Sequence, residues 1–133
     1  MNKFTATVKE IQSNNSLNIV SFDFNGLELS MMSLDLDSSI HIGSKVKLGV
    51  KSTSIAVAKE FNGVISYSNQ LNAVVKTLDD GKLLSSINAE VNSSLFEAII
   101  TSKSVNRMNV KVGDSVTLFI KASELFIVEV CND

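Results

Sequence analysis

Two short patterns in this 133-residue chain carry side chains that could grip a small anion. Lys121-Ala122-Ser123 follows one alternating apolar run, and Lys51-Ser52-Thr53 follows another. Thr101-Ser102-Lys103-Ser104 sets hydroxyls where a strand gives way to a predicted helix, and Ser30 and Ser33 repeat the spacing earlier. Ser and Thr hydroxyls donate hydrogen bonds, and lysine adds a compact charge with three donors. A tetrahedral dianion offers only acceptor oxygens, so a set of donors suits it. Such a set has nothing to accept the proton of hydrogen phosphate and so favours a fully deprotonated oxyanion. Free N–H groups at the start of a helix would add to the attraction. Thr101 and Ser104 are equally suited to capping that helix, and the two roles are compatible.

Other reactive side chains lack companions. His41 stands between Ile40 and Ile42 with no Cys or carboxylate at metal-ligand spacing, so no directly bound metal is expected. Asp35, Asp37, Asp79 and Asp80 read as solvated turn carboxylates, not as an acid–base pair. Cys131 is the only cysteine, which excludes an intramolecular disulfide and fits a reducing compartment. There is no phosphate-binding glycine loop and no serine, histidine and carboxylate set, so an enzyme is not expected. The net charge is −2, Arg107 is the only arginine and tryptophan is absent, which argues against a nucleic-acid surface. No apolar run has the length of a signal peptide core or a membrane span.

The patterns recur because the sequence itself recurs. Gly43 to Ile55 matches Gly113 to Leu125 with glycine, valine, leucine and lysine in register. Phe4 to Lys9 matches Leu71 to Lys76, and Ser30 to Ser33 matches Thr101 to Ser104 if short gaps are allowed. These matches predict two repeats, residues 1–63 and 64–133. Val20, Phe22 and Phe24 alternate with polar residues, as do Val46, Leu48 and Val50 and their counterparts Val116, Leu118 and Ile120. Asn25-Gly26 predicts a hairpin turn, and Asp79-Asp80-Gly81 the corresponding kind of turn in the second repeat. A short helix is predicted over 102–108, with a weaker equivalent after Ser33. The resulting fold is mainly β: two tandem OB-like five-stranded β-barrel units, each with a short helix. Phe61, Val64, Ile65 and Tyr67 make the join too apolar for a free linker, so the units should pack together. Leu125 to Val130 must be paired or buried, in the simplest case within its own barrel.

The order of Ser66, Asn69-Gln70-Leu71, Thr101 and Ser104, Val112-Gly113-Asp114 and Lys121-Ala122-Ser123 resembles the Mop, or TOBE, domain of molbindins and molybdate-responsive regulators. Two such units without a DNA-binding domain look like a di-Mop molbindin. The resemblance implies cytoplasmic binding of molybdate or tungstate for storage or homeostasis, without an organic cofactor. It also implies a homotrimer holding anions at repeat and subunit interfaces, with no nucleic-acid or membrane partner. By position, the implied contacts are Thr101, Ser104, Lys121 and the backbone of Ala122 in the second repeat. Ser30, Ser33, Lys51 and Ser52 take those places in the first, and a neighbouring unit adds Ser66, Ser68 and Asn69. Ser66-Tyr67-Ser68-Asn69 lacks the arginine often found there, and the first repeat opens late, at Met1-Asn2-Lys3. That departure motivates an alternative: an oligomeric regulatory or interaction module that kept the fold and lost most anion binding.

Overall fold

Alternation of apolar and polar residues builds the strands, as side chains on a strand point to opposite faces in turn. The computed structural model describes residues 1–131. The first repeat contributes β1 (Asn2–Asn14), β2 (Leu17–Phe24), β3 (Leu27–Ser33), β4 (Lys45–Val50) and β5 (Ala56–Lys59). The second contributes β6 (Asn69–Asp80), β7 (Leu84–Val91), β8 (Ser94–Thr101), helix α1 (Ser102–Met108), β9 (Ser115–Ile120) and β10 (Phe126–Cys131). Val20, Phe22 and Phe24 on β2 are buried, as are Ile87, Ala89 and Val91 on β7. Asn25 and Gly26 both take positive φ, 50° and 88°, the twist a two-residue hairpin turn requires.

The strands form two five-stranded antiparallel sheets, ordered β10-β4-β1-β2-β3 and β5-β9-β6-β7-β8. Each first strand is long and bends at a bulge, between Val8 and Glu10 in β1 and between Val75 and Thr77 in β6. β1 pairs with β4 only before the bend, over residues 2–7, and with β2 from Thr7 through the bend to Asn14, so the sheet curls toward a half-barrel. At both bends a glycine closes the gap: Gly43 N donates to Val8 O at 2.9 Å and Gly113 N to Val75 O at 2.8 Å.

Each sheet takes one strand from across the sequence repeat. The apolar segment ending the second repeat is paired, but as β10 it lies against β4 of the first, with Ile127 opposite Leu48. In return β5 lies against β9, with Val57 opposite Leu118. Ile55 and Leu125, which lead into the two exchanged strands, are both 2% exposed, so each crossing is anchored in the core. The outer face of β4 makes room for this. A Cβ on Gly49 would come within 2.8 Å of the Phe126 ring. The counterpart of Gly49 is Phe119, which packs against Phe61 and Tyr67 at ring distances of 5.1 and 5.5 Å. Two aromatic residues of the join therefore pack as their apolarity suggests, while Val64 is fully exposed. Between the sheets Phe96 meets Phe4 and Phe24, so one core runs through both repeats.

Two details differ from the sequence expectation. A helix forms over 102–108 as predicted, closed by Asn109 in the left-handed region, but no helix forms after Ser33. There the Ser33 hydroxyl accepts from Asp35 N and the Asp37 carboxylate from Ser39 N, and such local side-chain bonds compete with a helix. Second, the hairpin matching Asn25–Gly26 is Asn92–Ser93, with φ of 46° and 72°. Asp79-Asp80-Gly81 instead leads from β6 into β7, in the place of the turn between β1 and β2. Each strand after its hairpin thus starts at Leu27 or Ser94, so the counterpart of Ser30 is Glu97 and not Thr101. The similar hydroxyl spacing, Ser30 to Ser33 and Thr101 to Ser104, hid a four-residue offset.

The exchanged strand β5 is tied down by charge. Lys59 Nζ lies 3.0 Å from Asp114 Oδ2 and donates to Asn109 O at 2.7 Å. The bond from Lys59, joined by one from Lys111 N, holds the Asp114 carboxyl below its ordinary pKa. A depressed carboxylate contributes stability above its unfolded pKa and loses it as pH falls through the folded value. Asp114→Asn is therefore expected to lower the melting temperature at neutral pH. The wild-type and variant curves should converge in acid below about pH 4, as thermal melts across pH would show.

Candidate functional site

Two asparagines define the chemically distinctive part of the molecule. Asn69 opens β6 and is wholly buried. Its side-chain oxygen accepts from Ser30 N at 2.7 Å, while its amide donates to Ser30 O at 2.9 Å and to Ile120 O at 3.1 Å. The amide thus stands in for a backbone partner on the edge strand β3 and ties it to the end of β9. Met32 N extends the tie by donating to Ala122 O at 2.9 Å. Asn2 opens β1 and does the same for β8. It accepts from Glu97 N at 2.8 Å and donates to Glu97 O at 2.9 Å and Val50 O at 3.5 Å. The two junctions make equivalent bonds with the repeats exchanged, Asn69 tying β3 to β9 as Asn2 ties β8 to β4.

Each junction is flanked by a lysine turn. Lys51 O accepts from Ser54 N, and Lys121 O from Glu124 N, both at 2.9 Å. Both lysines are exposed, and neither forms an ion pair among the described residues. The Asn69 junction therefore gathers Ser30, Asn69, Lys121 and Ala122. Ser66 and Ser68 lie in the exposed segment that leads into it. The Ser30 hydroxyl itself has no protein partner among the described residues, as only its backbone is bonded to Asn69. The Asn2 junction gathers Lys51 and Ser52. Ser30 therefore belongs with Lys121 rather than with Lys51, where the sequence match had put it.

Three expected contacts lie elsewhere. Thr101 caps α1 by accepting from Ser104 N, and its hydroxyl donates to Ser104 Oγ at 2.9 Å. At about 3.3 Å per residue Thr101 is roughly 13 Å along β8 from Glu97. Ser33 is similarly removed from Ser30, at the end of β3 where its hydroxyl starts a turn. Thr101→Ala is expected to cost about 1 kcal/mol through loss of the cap, as urea denaturation would show.

Sequence reasoning missed Asn2, Glu97 and Ser86. Ser52 Oγ donates to Glu97 Oε1 at 2.8 Å, and Ser86 Oγ donates to Glu97 Oε2 at 2.9 Å. These bonds, that from Ser52 first, hold the Glu97 carboxyl below its ordinary pKa. One signal was available: extending the match of Phe4 with Leu71 back by two residues aligns Asn2 with Asn69.

A cleft of about 730 Å³ lies between β3, the turns after it and β10, lined by Met31, Leu36, Ile40, Ile127 and Val130. It is apolar with Asp35, Asp37 and Glu129 at its rim, which suits an anion poorly. His41 sits in an exposed turn with Nδ1 3.0 Å from Ile42 O. No group of His, Cys, Asp and Glu among the described residues is arranged to hold a metal ion directly. No helix among them is long and apolar enough to cross a membrane.

With two asparagine-tied half-barrels in view, comparison with known proteins defines the class. Residues 65–127 match the family model for the TOBE domain. Across almost its whole length the chain shares the fold of the cytoplasmic molybdate-binding protein ModG, in a crystal form with molybdate bound. The TM-score is 0.89 with 22% identity, over 95% of this chain and 94% of that one. No curated protein sequence matches the chain.

Proposed function

We propose that the chain binds a tetrahedral metal oxyanion, molybdate or tungstate, at the Asn69 junction. The observation that carries this reading is the likeness of fold, over 95% of the chain, to a protein described as molybdate-binding. The junction supports it chemically. Asn69 and Ile120 fix the backbone, Lys121 supplies a cation free of carboxylate partners, and the unpaired Ser30 hydroxyl supplies a donor. Ser68, and Ser66 before it, add hydroxyls from the segment leading into β6. Binding here serves storage or homeostasis of the anion in the cytoplasm, with no organic cofactor and no catalytic step. The chain assembles as a homotrimer, with the junction and exposed Ser66 and Ser68 at the interface between copies. Light scattering with and without tungstate tests the assembly.

Isothermal titration of anion-free protein with molybdate, tungstate, sulfate and phosphate tests the binding. Saturable binding of the two metal oxyanions in preference to sulfate is expected, and no heat with either at micromolar concentrations sinks the reading. A second reading is a regulatory or interaction module that retains the fold with little anion binding. Two observations favour it: Thr101 and Ser104 are engaged with each other, and a carboxylate occupies the Asn2 junction. It requires an unchanged melting temperature in tungstate.

A further inference from the structure

The two junctions share a backbone plan but differ in charge where Ser30 is tied to Asn69 and Glu97 to Asn2. We propose that Glu97 is a built-in anion that fills the Asn2 junction, so that external oxyanions bind this chain only on the Ser30 side. This deepens the reading above and rests on it.

The Glu97 side chain is fully engaged within the protein. Its two carboxylate oxygens each accept one hydroxyl, from Ser52 at 2.8 Å and from Ser86 at 2.9 Å. Ser52 is 6% exposed, so its donor cannot easily turn to another acceptor. Donated hydroxyls converging on negatively charged oxygens are what a bound oxyanion would show. Here the oxygens belong to the protein. An incoming dianion would have to displace the carboxylate from both hydroxyls and then stand beside its charge. Like charges a few ångströms apart, partly shielded from water, repel strongly. The depressed pKa of Glu97 agrees, since it keeps the group ionised wherever the protein is folded near neutrality.

The opposite junction has no such group. Ser30 occupies the equivalent position, Ala122 replaces Ser52, and Ile19 replaces Ser86, so neither the carboxylate nor its two donors are present. The lysine turn and the asparagine tie are retained on both sides. Charge at one position therefore separates an open junction from a closed one.

Exchanging the two side chains tests this. Asn2 binds the backbone of residue 97, so Glu97→Ser leaves the tie intact and places serine there as at the equivalent position 30. Equilibrium dialysis with sodium tungstate should show about twice as many anions per chain for Glu97→Ser as for the wild type. Ser30→Glu should lose the wild-type binding at least tenfold. Glu97→Gln, which keeps the size and removes the charge, also gains tungstate and serves if the serine variant folds poorly by circular dichroism. Unchanged stoichiometry in both Glu97 variants, with the wild type binding, overturns the inference and leaves the proposed function standing. Binding by Glu97→Ser but not by the wild type supports the inference and removes the proposed function. Binding by neither overturns both.

Discussion

Replacing Lys45 with cysteine is expected to join it to Cys131 in an intramolecular disulfide and to raise the stability of the oxidised protein by about 2–4 kcal/mol. The expectation comes from the strand exchange. Lys45 on β4 and Cys131 on β10 are cross-strand partners, although they come from different repeats. Directly opposed residues in an antiparallel pair have Cα atoms about 4.5–5.5 Å apart, within reach of a disulfide. The loop closed would run from the end of the first turn-rich segment to the last strand, and long loops constrain the unfolded chain most. Lys45 is exposed and makes no ion pair among the described residues, so little is lost by replacing it. Non-reducing electrophoresis should show a faster monomer band, and melts with and without reductant should differ by about 10 °C. If β10 closed on its own repeat, residue 45 would be remote and no bond would form. A disulfide between two chains would place the exchange between copies of the protein.

Asn69→Ala should be the most damaging single polar substitution, at about 2–4 kcal/mol. The side chain is fully buried and serves three backbone groups, Ser30 N, Ser30 O and Ile120 O. Alanine leaves them without partners, the Ile120 carbonyl in a buried place and the two Ser30 groups in a part-buried one. Each such group costs about 1–3 kcal/mol, reduced by whatever the edge of β3 can relax toward solvent. Asn69→Asp should be no milder, because a carboxylate cannot donate to the two carbonyl oxygens. Asn2→Ala should cost less, as its bond to Val50 O is long at 3.5 Å and its side chain is less deeply buried than that of Asn69. Urea unfolding would order the three variants, and a cost below about 0.5 kcal/mol for Asn69→Ala would contradict the role given to this residue. Tungstate affinity should fall with Asn69→Ala, since Ser30 and Ile120 would no longer be held together.

Much of the fold was legible because its signals are local. The alternation at Val20, Phe22 and Phe24 fixes which face of β2 is buried. Asn25-Gly26 fixes a hairpin, and the start of α1 shows in Thr101, whose hydroxyl does cap it. The Gly43 and Gly113 segments matched because both perform the same closure of a bulge. The candidate site was less legible. Hydroxyl residues are suited equally to caps, turns and ligands, and residue type does not say which: Ser33 accepts from Asp35 N, Thr101 from Ser104 N, and Ser104 Oγ from Thr101 Oγ1. Glu97 could not be singled out from its neighbours in β8, since nothing within reach of it in sequence supplies Ser52 or Asn2.

The sequence by itself determined two repeats, their strands, their turns and the lysine that ends each late strand. Short-range sterics and the period of side chains along a strand set these features, and both act over a few residues. Tertiary structure alone decided which β10 and β5 partners were taken and which hydroxyls meet which lysine. It also decided that one junction holds a carboxylate and the other does not. An unpaired apolar edge states that it needs a partner but does not say whose, and two similar repeats offer two equivalent answers. The choice falls to the buried crossings at Ile55 and Leu125 and to the space that Gly49 leaves for Phe126.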